Sequence, residues 1–183
     1  MRILALAGSL RADSFNRRLV ANAVTYLKTR AEIDLVEPDG LAMPPYDADA
    51  EIRDGLPPAA KRLRDRIAAA DALVIATPEY NHSFPGVLKN AIDWISRGKD
   101  QPLRGRPVLL LSASPGAYGG ARAQVALRIV LASVGAIALP ATIAVSHADK
   151  AFDDAGSLVD PRQRAQVERG CDELLRFAAA LRP

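Results

Sequence analysis

The stretch Ala72-Leu-Val-Ile-Ala-Thr-Pro-Glu-Tyr-Asn-His-Ser-Phe-Pro-Gly-Val-Leu-Lys-Asn-Ala-Ile-Asp-Trp94 changes character twice. Its first five residues form an apolar run too short for a helix, which reads as a strand buried on both faces. The run stops at Thr77-Pro78, and a polar, aromatic loop follows. A helix pattern opens at Pro85 and continues to about Arg97, with Gly98 suited to its C-terminal end. A loop of this chemistry at the end of a buried strand is where open α/β proteins bind ligands.

The same alternation extends in both directions. Upstream, Ile3-Leu-Ala-Leu-Ala7 predicts a first buried strand, and Asn16 to Leu27 a helix with Leu19, Val20, Ala23, Val24 and Leu27 on one side. Ile33 to Val36 predicts a second strand, and a helix from about Ala59 to Ala69 precedes Ala72. Between them, Gly40 to Pro58 is rich in proline and aspartate and reads as a long irregular connection, usually functional or mobile. Downstream come a strand at Pro107–Ser112, a helix from Ala121 to about Val134, and a fifth strand over roughly Ala138 to Ala144. A loop from Ser146 to Asp160 leads to a last helix from Pro161 to about Leu181, with Asp160 as its N-cap. Five strands alternating with helices predict one parallel sheet covered on both faces. Right-handed crossovers favour the order 2-1-3-4-5, with its switch point between strands one and three. Residues 1–183 are expected to form a single domain.

Composition narrows the function classes. The chain has 183 residues, 49% hydrophobic and 25% charged, with a net charge of +3 spread along its length. No basic run is dense enough to suggest nucleic acid, and no apolar run approaches the roughly 18 residues of a membrane span. Met1-Arg-Ile-Leu-Ala-Leu-Ala-Gly8 reads as a strand, since its apolar part is shorter than a signal peptide requires. Cys171 is the only cysteine, so no internal disulfide is possible, and its acidic neighbours do not suggest an activated thiolate. A cytoplasmic location is the expectation. Two histidines, His82 and His147, leave little material for a histidine metal site.

The loops after strands one, three and four meet at the carboxyl edge. In Gly8-Ser-Leu-Arg-Ala-Asp-Ser-Phe-Asn16, Ser9 and Ser14 offer hydroxyls, Arg11 a permanent positive fork, and Asn16 an amide. The helix start adds free N–H groups, a combination suited to a phosphate dianion. Plain helix capping by Asp13 or Ser14 is the alternative, and it leaves Ser9 and Arg11 without a role. In Pro78-Glu-Tyr-Asn-His-Ser-Phe-Pro85, Tyr80 can supply a flat face and Asn81 can bond a heterocycle's edge. Glu79 either accepts from ring N–H groups or braces the loop, and His82 reads as an exposed loop residue. Ser112-Ala-Ser-Pro-Gly-Ala-Tyr-Gly-Gly120 has three glycines and two hydroxyls, and is either a cradle for a flat ligand or a simple turn. Taken together, the loops describe a pocket with a phosphate end and an aromatic end, which fits a mononucleotide such as FMN.

Gly-Ser-x-Arg-x-x-Ser-x-Asn at residues 8–16 and Thr-Pro-Glu-Tyr-Asn-x-Ser-x-Pro-Gly-x-Leu-Lys-Asn-Ala-x-Asp-Trp at residues 77–94 resemble the two signature regions of NADPH-dependent FMN reductases. That family includes quinone and chromate reductases. The resemblance implies a flavodoxin-like three-layer sandwich and an FMN phosphate held by Ser9, Arg11, Ser14 and Asn16. It further implies a flavin ring lined by Pro78, Glu79, Tyr80 and Asn81 and closed off by Ser114, Gly116 and Gly119. His82 and Phe84 stand where relatives often carry Gly and Ile. The implied reaction is ping-pong transfer of hydride from NADPH (or NADH) through FMN to a small-molecule acceptor such as a quinone, a flavin, an azo compound or chromate. No catalytic side chain is required, because the flavin carries the chemistry. A homodimer or homotetramer is implied, with the Pro85–Arg97 helix and its Lys89, Asp93 and Trp94 as interface candidates. Two other readings stand beside this one: a flavodoxin-type electron carrier without its own NADPH turnover, and a flavin-free regulatory domain of the same fold.

Overall fold

The computed structural model describes residues 1–181; the last two residues of the expected 1–183 domain lie outside the described residues. Six strands, β1 (Arg2–Ala7), β2 (Glu32–Val36), β3 (Ala72–Ala76), β4 (Pro107–Ala113), β5 (Ile137–Ala138) and β6 (Ile143–Val145), form one parallel sheet. Six helices connect them: α1 (Phe15–Leu27), α2 (Ala48–Asp54), α3 (Pro58–Ala68), α4 (Gly86–Ile95), α5 (Ala121–Ser133) and α6 (Pro161–Ala180). The order β2-β1-β3-β4-β5, with β6 also on β4, is the predicted flavodoxin-like order. Strand period two divides the central runs between two cores. Ile3, Ala5, Val74 and Leu109 face α1 and α6, while Leu4, Leu6, Leu73 and Leu110 face α3, α4 and α5.

Two expectations need correction. The Gly40 to Pro58 connection is not wholly irregular. It holds a 3₁₀ turn at Pro38–Leu41 and the helix α2, capped by Asp47, which accepts from the N–H of Asp49 and of Ala50. The helix buries none of its residues, and Ile52 is 85% exposed, so no amphipathic pattern announces it. The fifth strand is two short pieces, β5 and β6, paired with successive parts of β4. Pro140 cannot donate to the ladder and falls in the break. The carbonyls freed there, of Leu139 and Ala141, accept from the Arg128 guanidinium.

A proline-rich strap precedes α2, and signature residues of α4 fasten it. Asn90 Oδ1 accepts the N–H of Tyr46 at 2.7 Å, and Asn90 Nδ2 donates to the carbonyl of Pro44 at 2.9 Å. Trp94 Nε1 donates to the same Pro44 carbonyl at 2.8 Å, and its ring meets Tyr46 edge-on at 5.0 Å. Asn90 and Trp94 of the second signature region therefore brace the fold.

On β2, Asp34 accepts from Arg66 Nε at 3.1 Å and from Arg2 Nη2 at 3.0 Å. The hydrogen-bonded Arg66 guanidinium, helped by Arg2 and opposed by partial burial, holds the Asp34 carboxyl below its usual range. A depressed carboxyl stabilises the fold in full above its unfolded-state value, and that contribution is lost as pH falls through the folded one. Asp34→Asn is expected to cost about 1–2 kcal/mol at neutral pH. Urea denaturation should show the gap to wild type closing on acidification.

Candidate functional site

The carboxyl ends of β1, β3 and β4 place the three loops side by side. Ser9, Arg11, Ser14, Asn16, Pro78, Glu79, Tyr80 and Ser114 line one cleft of about 130 Å³ there. Asn81, Gly116 and Gly119 are not among the residues lining it. Larger hollows lie elsewhere, one of about 300 Å³ beside Arg17 and Arg18, but those arginines are already paired with Glu37 and Asp13.

The first loop leaves its donors free. Ser14 caps α1, its hydroxyl accepting the N–H of Asn16 at 3.3 Å, and Ser9 Oγ accepts the N–H of Arg11 at 3.3 Å. The N–H groups of Leu10, Ala12, Asp13 and Ser14 have no acceptor among the described residues. The Arg11 guanidinium likewise has no hydrogen bond or ion pair there, and Arg11 is exposed. A free cation beside unpaired N–H groups at a helix start has the donor chemistry that a phosphate monoester requires. FMN fits this loop on that observation.

Asn16 does something different from its neighbours. Its side chain is buried and engaged at both ends, Nδ2 donating to the carbonyl of Ala113 and Oδ1 accepting the N–H of Ala113, each at 2.9 Å. The side chain thus ties the start of α1 to the end of β4 and fixes the first loop against the third. Gly8 has a packing role: a Cβ there would lie 2.9 Å from Leu88 Cδ2, so a side chain at residue 8 would force the Leu88 side chain of α4 to shift.

In the second loop, Tyr80 and Ser83 exchange backbone hydrogen bonds, at 2.8 and 3.0 Å, around Asn81 and His82. Both central residues have positive φ, 50° and 65°, the pattern of a type I′ turn. Asparagine and histidine both enter that region more often than other side chains, and glycine enters it more readily than either. Ser83 closes this turn, and Pro85 takes the position before α4. His82→Gly is expected to raise stability by about 0.5–1 kcal/mol, because glycine adopts the same φ without a Cβ penalty. Urea unfolding of the two proteins checks it.

Glu79 is the loop brace. Its side chain is only 8% exposed, and Arg122 holds both oxygens: Nη2 lies 2.6 Å and Nε 2.7 Å from Oε1, and the Arg122 N–H donates to Oε2 at 3.2 Å. The Arg122 guanidinium also lies over the Tyr118 ring, 4.6 Å from its centroid. Arg122 therefore locks the second loop to the third, a role the sequence reading missed. The available signal was its place in the first turn of α5, where a cation opposes the helix dipole and needs another reason to be there.

The third loop is fixed by β6. Ser114 exchanges backbone hydrogen bonds with Val145 and Ala148, each at 3.1 Å, and Ser114 Oγ accepts the N–H of Gly116 at 3.3 Å. Beneath it, buried Gln124 donates to Ser112 Oγ at 2.7 Å and to the carbonyl of Ile143 at 2.9 Å. Cys171 is fully buried, and burial pushes its thiol up to about 12, so it is inert.

The model of the NADPH-dependent FMN reductase family matches residues 1–150. An NAD(P)H-dependent FMN reductase of Pseudomonas aeruginosa is 40% identical, over all of this chain and 97% of its own length. A quinone reductase of Escherichia coli is 42% identical over 76% of this chain and 73% of its own. Among solved structures, the flavoenzyme FerB of Paracoccus denitrificans, an NAD(P)H:(acceptor) oxidoreductase, superposes with a TM-score of 0.85 at 32% identity. That superposition covers 98% of this chain and 97% of FerB. Family model, relatives and the phosphate-ready loop agree, and the chain belongs to the NADPH-dependent FMN reductases.

Proposed function

We propose that the chain binds FMN across the three loops and passes electrons from NADPH or NADH to quinones in ping-pong order. Bound FMN would supply the hydride chemistry. Arg11 and the free N–H groups of residues 10 and 12–14 anchor the phosphate. Pro78, Tyr80, Asn81 and the Ser114–Gly119 loop bound the ring, and Glu79, held by Arg122, keeps the two sides at fixed separation. Asn16 acts through Ala113 by holding the phosphate loop in register with the ring loops. The observation that carries this reading is the unpaired Arg11 in a cleft shared with Tyr80 and Ser114.

The test is turnover of the protein alone, with NADPH and benzoquinone as its substrates. Parallel double-reciprocal lines are expected. An electron carrier of the flavodoxin type would show no turnover without a partner protein, and converging lines would overturn the ping-pong order. The reading includes a cytoplasmic enzyme, consistent with a buried, unpaired cysteine. No helix among the described residues is long and apolar enough to cross a membrane.

A cleft of about 130 Å³ is smaller than the roughly 300–1,000 Å³ of sites that enclose a ligand. A homodimer or homotetramer completing the site from a second copy is therefore part of the proposal. Of the contacts expected on α4, Trp94 is not free to make one. Trp94 is buried under the strap, and Lys89 and Asp93 pair with each other at 2.7 Å. Among the large apolar residues left exposed, Val125 and Ile129 stand four apart on α5, the helix that begins at the cleft. Val125→Glu with Ile129→Glu is expected to shift the light-scattering mass to that of one chain; an unchanged mass contradicts this interface.

A further inference from the structure

We propose that His82 is the proton donor to the acceptor, an assignment that rests on the FMN reading of the neighbouring cleft. Reduction of a quinone to a hydroquinone takes two electrons and two protons. Hydride brings both electrons and one proton, so NAD(P)H, one H⁺ and a quinone give NAD(P)⁺ and a hydroquinone. As hydride reaches one quinone oxygen, an electron pair collects on the other. That oxygen takes a proton from the imidazolium N–H of His82, leaving a neutral imidazole that water reprotonates.

Four features of the structure place this role on His82. It lies two residues after Tyr80, which lines the cleft, in the turn that Tyr80 and Ser83 close. Its side chain is 72% exposed, so exchange of its proton with water is open. Its φ of 65° lies in the left-handed region, which histidine enters more readily than most residues and glycine most readily of all, so the turn itself does not require the imidazole. Its side chain has no hydrogen bond among the described residues, and Glu79 Oε1, 3.9 Å from Nδ1, is too far for a direct one.

The charged groups facing the ring are that carboxylate, from its own loop, and Arg122 of α5, bound to the same oxygen. Arg122 pins the carboxylate on the Nδ1 side of the ring, which leaves Nε2 to give its proton. Imidazole is the side chain that both gives and regains a proton near neutral pH, whereas phenols hold theirs more tightly.

The test uses the FMN-loaded protein and the variants His82→Gln and His82→Gly, the second of which should fold at least as stably as wild type. Benzoquinone needs the proton, whereas ferricyanide takes single electrons and needs none. Quinone turnover is expected to fall about 10–100-fold in both variants, at the low end of general-acid effects because water also reaches the site. Ferricyanide turnover and the bleaching of FMN by NADPH should hold. A second readout does not use turnover: calorimetry of 2-hydroxy-1,4-naphthoquinone anion binding, in two buffers of different ionisation enthalpy. Wild type should take up protons on binding, and His82→Gln should take up none. Quinone and ferricyanide rates that fall together, quinone turnover that stays unchanged, or equal proton uptake in the two proteins would overturn the assignment. Wild-type protein that neither takes up FMN nor bleaches would remove the FMN reading itself, and this proposal with it.

Discussion

Gly119→Ala is expected to lower stability by about 2–4 kcal/mol, which for a chain of this size is a fall of roughly 5–15 °C in melting temperature. Two penalties combine. The residue has a φ of 57°, where a Cβ costs about 1–2 kcal/mol. A Cβ there would also lie 2.7 Å from the nitrogen of Ser146 and the carbonyl carbon of Val145. Both are backbone atoms, so no side-chain rotation relieves the contact, and the third loop has to part from the end of β6. The close approach is to the protein's own chain, a demand on this glycine separate from the cofactor role that the resemblance implies. Gly116 is the control, because its nearest neighbour beyond the adjoining residues is Ser114 Oγ at 3.7 Å and a methyl group has room. Thermal melts followed by circular dichroism should separate Gly119→Ala clearly from wild type and leave Gly116→Ala within a degree or two. A Gly119→Ala protein that melts with wild type would mean that the third loop is not packed as described.

The second large effect is on affinity. Arg11→Ala should weaken FMN binding about 10–150-fold, the equivalent of the 1.5–3 kcal/mol of a charge-assisted contact. Arg11 is exposed and its guanidinium has no hydrogen bond or ion pair among the described residues, so the flavin-free variant should melt with wild type. That separates the binding role from a folding one. The wild-type affinity should also weaken with added salt, and the variant's should do so less, since one ionic contact has gone. Equal affinities by fluorescence titration would sink the phosphate assignment.

The fold was legible where burial dictates the pattern. β1, β3 and β4 are continuous apolar runs because helices cover both of their faces, and that signal does not depend on distant residues. α2 was not legible, since it buries nothing and its seven residues hold together through the Asp47 cap. The division of the last strand was half visible, because Pro140 was in plain view. What repairs the break is Arg128, ten or more residues upstream, and only the three-dimensional structure brings it there.

The site divides the same way. Ser9, Arg11, Ser14, Pro78, Glu79, Tyr80 and Ser114 were nominated by loop chemistry, and the topology brings them to one cleft. How they divide the work depends on partners that sequence distance hides. Asn16 and Ala113 are 97 residues apart and Glu79 and Arg122 are 43 apart, yet these pairs fix the loops relative to one another. Trp94 shows the same effect in reverse: its place in the signature suggested an interface, whereas the strap that buries it comes from about 50 residues earlier.

The central claim is that these loops hold FMN and present it to a nicotinamide. Its most direct test is the absorption spectrum of the purified protein after equilibration with FMN and removal of the excess, followed anaerobically as NADPH and then benzoquinone are added. Stoichiometric flavin bands that bleach with NADPH and return with the quinone are the predicted result. A colourless protein, or bands that NADPH leaves unchanged, would contradict it.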